Sequence, residues 1–227
     1  MIIRFVLVQP ATPGNVGSAA RAINTMGFSE LAVVDSQCHL EDEAKWLAHG
    51  SRHILDGILE FPTLEAALAD CDWAIGTTAR RRLQADHYLI PEQAKEWAQS
   101  HVQSEQRLAV VFGRENNGLN NEELALCDVL STVPLANPSP SINLAQSVMI
   151  YAYSLASLPS HTTVDTQVSK DEWQHMSDRV NGLLDRLDLY ESTKLRQWVS
   201  EMLPLAGERP TRFMLSIVKR IEERMAR

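Results

Sequence analysis

Several short runs in this chain are apolar at every position instead of at every second one. Leu31–Val34 reads Leu-Ala-Val-Val, and Leu108–Phe112 reads Leu-Ala-Val-Val-Phe. A strand with one wet face alternates apolar and polar residues. An unbroken run marks a strand covered on both faces, and that arrangement belongs to parallel sheets flanked by helices. Strands are expected at Ile2–Val8, Leu31–Val34, Trp73–Gly76, Leu108–Phe112 and Val129–Val133. Between them lie helical patterns. Val16–Met26 stops at Gly27, Glu41–His49 follows the second strand, and Leu64–Asp70 has Thr63 as its N-cap. Pro91–Gln103 opens on a proline, Asn121–Cys127 is short, and Asn143–Leu158 is long and apolar. The alternation predicts an α/β domain with a parallel sheet.

The polar stretch Pro159 to Lys170 reads as a linker. Beyond it the patterns are helical only, at Asp171–Leu189, Glu191–Leu203 and Pro210–Arg227. The chain therefore divides into residues 1–160, an α/β domain, and 161–227, a small all-α domain. Trp173, Leu183, Leu187, Trp198 and Leu203 read as the core of that second domain. With 227 residues there is room for one well-buried domain and an appendage.

Composition narrows the setting. At 44% hydrophobic and 22% charged residues, the chain has a globular make-up. No apolar run reaches the roughly 20 residues that span a bilayer, and the opening strand lacks the flanks of a signal peptide. Cys38, Cys71 and Cys127 stand apart, with no metal-ligand spacing and an odd count. A reducing cytoplasm is expected, with no metal and no membrane. The net charge of −8 opposes indiscriminate nucleic-acid binding. Two local clusters run against that sum. One is Arg80-Arg81-Arg82, and the other is the stretch from Arg212 to Arg227, with five basic residues against two acidic ones.

Four segments at strand ends carry candidate chemistry. The first, Pro10 to Arg21, contains Gly14-Asn15-Val16-Gly17. Its glycines permit close approach, Asn15 can cap the helix, and Arg21 lies about two turns in. The second is Gly76-Thr77-Thr78-Ala79, whose hydroxyls and backbone suit a small polar ligand, followed by the three arginines. The third, Gly113-Arg114-Glu115-Asn-Asn-Gly118, leads to a helix capped by Asn120 or Asn121. In open α/β sheets such carboxyl-end loops bind ligands. The fourth, Pro138 to Ser147, holds Ser141 and Asn143, either of which caps the helix that follows. Each segment also has a purely structural reading as a capped turn or a solvated charge run. A dinucleotide fingerprint is absent. Asp35 stands at the second strand end, but the first turn lacks the G-x-G-x-x-G spacing.

Taken in order, Asn15-x-Gly17-x-x-Ala20-Arg21, Val111-Phe-Gly113-x-Glu115-x-x-Gly118-Leu and Ser141-Ile-Asn143-Leu-Ala145 resemble the motifs of the SPOUT (SpoU–TrmD) RNA methyltransferases, in the TrmJ/LasT branch. Ile142 stands where leucine is more usual, and the third loop is about one residue short. The resemblance implies a deep trefoil knot in the carboxyl half of the first domain. It also implies S-adenosylmethionine as methyl donor, a homodimer, and methylation of a ribose 2′-hydroxyl in tRNA or rRNA, most simply in a tRNA anticodon loop. By the same carry-over, Thr77, Thr78, Ala79, Gly113, Val133, Ser141, Ile142, Asn143 and Leu144 match cofactor-binding positions. Arg21, Asn15, Glu115, Ser141 and Asn143 match the catalytic set. Arg21, Arg80, Arg81, Arg82 and Arg114 are the candidate RNA contacts, and the final helix adds a basic face for the RNA backbone. The rival expectations are a non-catalytic RNA-binding or assembly factor that keeps the fold, and a base methyltransferase of the same class.

Overall fold

A computed structural model of the chain describes residues 1–79, 88–137, 141–158, 170–187, 197 and 208–225. They fall into two compact units, one with the described residues up to 158 and one with those from 170 onward.

The first unit is built on six parallel strands: β1 (Ile2–Val8), β2 (Glu30–Val34), β3 (Leu59–Phe61), β4 (Trp73–Thr77), β5 (Arg107–Phe112) and β6 (Val129–Ser131). Their order is β3-β2-β1-β5-β4-β6, and every pairing is parallel. The helices are α1 (Pro13–Thr25), α2 (Asp42–Leu47), α3 (Arg52–Asp56), α4 (Leu64–Leu68), α5 (Pro91–His101), α6 (Asn121–Ala125) and α7 (Leu144–Leu155), with a 3-10 turn at Cys38–Leu40.

The central strand shows why its sequence does not alternate. Phe5 and Leu7 point into a cluster with Val16, Ile23, Phe112, Tyr151 and Leu155. Val6 and Val8 point the other way, onto Ala32, Val111, Leu119 and Leu124. Both faces of β1 are dry, so neither parity carries a polar signal. Phe5 stacks on Phe112 at 6.3 Å between ring centroids, and Tyr151 meets Phe112 edge-on at 5.6 Å. One charge enters the amino end of the sheet. Arg4, 3% exposed, makes a forked pair with Asp70 at 2.6 and 2.9 Å and reaches Glu30 at 3.2 Å. Arg107 joins the same two carboxylates. The hydrogen bond from Arg4 holds the Asp70 carboxyl below its usual range.

The expected architecture is present, with local differences. Helix α1 starts at Pro13, three residues before the expected Val16. Proline fits the first helical position, and Thr12 stands in the cap position. β6 stops at Ser131 instead of Val133. β3, α3 and the 3-10 turn were not expected; none exceeds five residues, too short to show a period. β3 ends where Pro62 removes a ladder donor.

In the second unit, α8 (Lys170–Arg186) and α9 (Glu208–Met225) bury Met176, Leu183 and Val218. Glu222 bridges Arg179 and Arg186. Leu187, expected in the core, is 44% exposed. The expected helix at 191–203 lies outside the described residues, apart from Gln197. No helix among the described residues is long and apolar enough to cross a membrane.

Two glycines give opposite predictions. A Cβ on Gly17 would sit 2.1 Å from the Ala44 carbonyl oxygen, whereas one on Gly182, inside α8, would meet nothing within 4 Å. Gly17→Ala is expected to cost about 1–3 kcal/mol in urea unfolding. Gly182→Ala is expected to gain up to about 1 kcal/mol. Equal effects would contradict the packing described.

Candidate active site

The sheet changes direction of winding between β1 and β5, which are adjacent although four strands apart in sequence. The crevice outside their carboxyl ends is where open α/β sheets place ligands. Three loops meet there, following β1, β5 and β6.

Glu115, half-buried in the loop after β5, supplies the joint. Its carboxylate accepts the amides of Ala11 at 3.0 Å and Thr12 at 3.0 Å, and the Asn15 side-chain amide at 3.0 Å. Those backbone donors lie just ahead of α1, whose positive end favours an anion. Burial raises the Glu115 pKa, but these hydrogen bonds outweigh it and the net shift is downward. Glu115 is thus ionised, with its lone pairs directed at the chain's own donors. It positions the loop and is poorly placed to exchange a proton.

Asn15 does not cap α1. It is the third residue of the helix, 9% exposed, and it faces inward. Its Nδ2 donates to Glu115, and its Oδ1 accepts from Asn143 Nδ2 at 2.8 Å. Of the two possible caps for α7, the structure selects Asn143, whose Oδ1 accepts from the amides of Ala145 at 2.8 Å and Gln146 at 3.3 Å. One amide group thus caps α7 and locks it to α1. Ser141 is exposed beside it, and its hydroxyl has no partner among the described residues.

Arg21 is exposed, about two turns along α1, outside this joint and without an ion-pair partner among the described residues. Arg114 is engaged within the chain. It makes a forked pair with Glu123 at 2.8 and 3.0 Å and donates to Gln9. Glu123 also closes a capping box with Asn120, which resolves the alternative with Asn121. Arg80, Arg81 and Arg82 lie outside the described residues.

Of the candidate cofactor positions, Thr77 to Ala79 lie at the end of β4, Gly113 follows β5, Val133 follows β6, and Ser141 to Leu144 lead into α7. The Thr77 hydroxyl donates to the Val111 carbonyl at 2.9 Å, and the Thr78 amide to the Ser131 carbonyl at 2.9 Å. Ala79 and Ser141 are exposed, Val133 and Ile142 half-buried, and Leu144 buried. Gly113 is required by the chain itself: a Cβ there would stand 2.1 Å from the Gly118 carbonyl carbon. Gly118 takes φ +67°, which glycine adopts freely.

Three supporting residues had not been expected. Gln9 sits at φ 44° and bonds both Asp35 and Arg114 across the ends of β1, β2 and β5. Buried Tyr151 donates to Ser131 at 2.7 Å, and Ser131 donates to the Leu89 carbonyl at 2.8 Å. Burial pushes the Tyr151 hydroxyl pKa upward, so it stays a neutral donor. No local pattern marks a glutamine at a strand end, or a tyrosine inside an apolar helix, as part of a site.

Fold and site together define an α/β domain with a parallel sheet whose three carboxyl-end loops are hydrogen-bonded to one another. Residues 2–153 match the SpoU rRNA Methylase family, and residues 170–225 match the C-terminal domain of the tRNA/rRNA methyltransferase LasT. The chain is 41% identical over 228 residues to LasT of Escherichia coli K12, named an uncharacterized tRNA/rRNA methyltransferase, covering all of both chains. It is 34% identical to the tRNA (cytidine/uridine/adenosine-2′-O-)-methyltransferase TrmJ of Pseudomonas aeruginosa, over 99% of this chain and 87% of that one. Among solved structures it resembles a probable methylase family protein from Haemophilus influenzae, with a TM-score of 0.73 at 25% identity, covering 99% of this chain and 97% of that one. The chain belongs to the SpoU methylase family.

Glu115→Gln keeps the shape of the joint but turns one acceptor into a donor facing other donors. A loss of about 2 kcal/mol is expected at pH 7. Because the folded pKa is lowered, the carboxylate's contribution is complete above about pH 4–5 and vanishes as pH falls through the folded value. The gap between wild type and variant in urea unfolding should therefore narrow as pH falls below that range. A gap independent of pH would contradict this.

Proposed function

We propose that this chain transfers a methyl group from S-adenosylmethionine to a ribose 2′-hydroxyl of tRNA. The observation that carries the reading is the joint of Glu115, Asn15 and Asn143, which brings all three motif loops to one cleft. The relatives' names point the same way. TrmJ of P. aeruginosa carries 2′-O-methylation of tRNA in its name, and the LasT relative is named for tRNA or rRNA. Residues 1–160 form the catalytic domain and 161–227 a helical appendage.

The positions around β4, β5 and β6 fit the donor. Thr77, Thr78, Ala79, Gly113, Val133, Ile142 and Leu144 carry no charge, and their mix of apolar surface, hydroxyls and backbone groups suits an adenosine. The sulfonium of the donor activates its methyl group when bound, which leaves the protein the tasks of alignment and of managing one proton. Alignment alone lowers such barriers by several kcal/mol. Arg21 stays charged at any physiological pH and clamps the phosphate beside the target ribose. Asn143, fixed by Asn15 and its own cap, sets the direction of the third loop. Ser141, exposed next to it, orients the incoming hydroxyl.

The chain acts in the cytoplasm as a homodimer and carries the trefoil knot of its family. Tyr153, 71% exposed on α7 next to Ile150 and Ala156, supports a self-association surface. Support for the knot comes from β6. Its Ser131 carbonyl accepts from Thr78, while Leu130 and Thr132 bond Leu89, all at 2.9 Å. Successive strand carbonyls point to opposite edges, so residues 78 and 89 flank β6 on both sides.

The test is methyl transfer from labelled S-adenosylmethionine to total RNA from a strain lacking this gene, with the product mapped for 2′-O-methylation. Label in one tRNA nucleotide is expected, reduced at least about a hundredfold in Arg21→Ala. Full activity of that variant would overturn the role of Arg21. No transfer and no donor binding would overturn the function. Sedimentation as a monomer would overturn the dimer.

A further inference from the structure

The chain leaves β1 and β2 through strained residues. Gln9 sits at φ 44° and Asp35 at φ 48°, the two non-glycine residues at positive φ among the described residues. Each is the first residue past its strand, and the two strands are neighbours. Aspartate visits this region at a modest penalty, but glutamine rarely adopts it. Such conformations persist only where the surroundings fix them. Burial does not fix these two, since Gln9 is half-buried and Asp35 exposed.

Hydrogen bonds fix them instead. The Gln9 amide donates to Val34 and the Asp35 amide to Phe61, both at 2.9 Å, so each ladder runs one residue past its strand before the chain turns. The Gln9 side chain then donates through Nε2 to Asp35 and accepts through Oε1 from Arg114. A guanidinium only donates and a carboxylate only accepts, so a side-chain amide satisfies both where a charged group satisfies one. Arg114 is itself held by its fork with Glu123.

The residues after Gln9 are pinned as closely. The Pro10 carbonyl accepts from the Ser36 hydroxyl at 3.0 Å and the Cys38 thiol at 3.1 Å. The amides of Ala11 and Thr12 donate to Glu115. Arg114 and Glu115 are consecutive, so the loop after β5 grips the loop after β1 at two points. The gripped residues, 9–12, lead directly into α1, the helix of Asn15 and Arg21. Turning the chain at residue 9 does not require this strain, because glycine makes the same turn freely. What glutamine adds over glycine is the link between Asp35 and Arg114.

We propose that Gln9 is a positioning residue for methyl transfer. Its side chain, held between Asp35 and Arg114, keeps the loop ahead of α1 in the one strained conformation that the reaction uses. This rests on the reading of the chain as an RNA methyltransferase. It also gives Asp35, which belongs to none of the three motifs, a place in the same device.

The experiment compares wild type, Gln9→Gly, Gln9→Glu and the double variant Gln9→Glu with Asp35→Asn. It measures urea unfolding, S-adenosylmethionine affinity, and kcat and KM for methyl transfer to unfractionated bacterial tRNA. Gln9→Gly relaxes the backbone and removes both side-chain bonds. Its urea midpoint should stay level while kcat falls roughly tenfold, with donor affinity and the KM for tRNA unchanged. Gln9→Glu keeps the bond to Arg114 but sets a second carboxylate against Asp35, and kcat should fall. Adding Asp35→Asn puts a donor opposite that carboxylate, exchanges the roles of the pair and should restore most of kcat. A midpoint that falls together with kcat in Gln9→Gly makes Gln9 a support of the fold alone and overturns the proposal. A double variant no better than Gln9→Glu overturns it too. An active wild type with an indifferent Gln9 removes the positioning role alone. A wild type that methylates no RNA removes the function and the positioning role together.

Discussion

The carboxylate of Glu115 neutralises the open amides ahead of α1, and the geometry of the cleft follows from that contact. A half-buried anion needs donors, and a helix start needs acceptors; each supplies the other here. Asn15 extends the contact inward and Asn143 carries it to α7, so three loops far apart in sequence share one hydrogen-bonded frame. Asn15, Glu115 and Asn143, grouped by the motifs, are hydrogen-bonded to one another in space. Arg21 and Ser141 are exposed and stand outside this hydrogen-bonded frame.

The glycines of the motifs serve the same end. Gly17 lets α2 lie against α1, and Gly113 lets the turn at Gly118 fold back on the end of β5. Both are excluded volumes filled by the chain's own backbone, not spaces for a ligand. They fix how α1 lies on α2 and how the loop after β5 turns back.

Much of this was legible in the sequence. The dry strands announced the parallel sheet because burial on both faces erases alternation, and the motifs grouped Asn15, Glu115 and Asn143, which the structure brings into contact. Their partners were not legible. Asn15 read as a cap because capping is a local pattern, whereas its true role depends on residues 100 and 128 positions away. The pairing of Arg114 with Glu123, nine residues on, was likewise not legible. Short β3 and α3 owe their form to neighbours and carry no period of their own. Gln9 and the Tyr151–Ser131 pair depend on the meeting of strand ends, which only the folded sheet defines.

The central claim is that Asn15 and Asn143 act as one unit in placing the cleft. A double-mutant cycle on kcat/KM for tRNA methylation, with Asn15→Ala, Asn143→Ala and both together, tests it most directly. The account predicts that the double variant is no worse than the poorer single variant, because either change breaks the same connection. Losses that multiply would show two independent residues and contradict it.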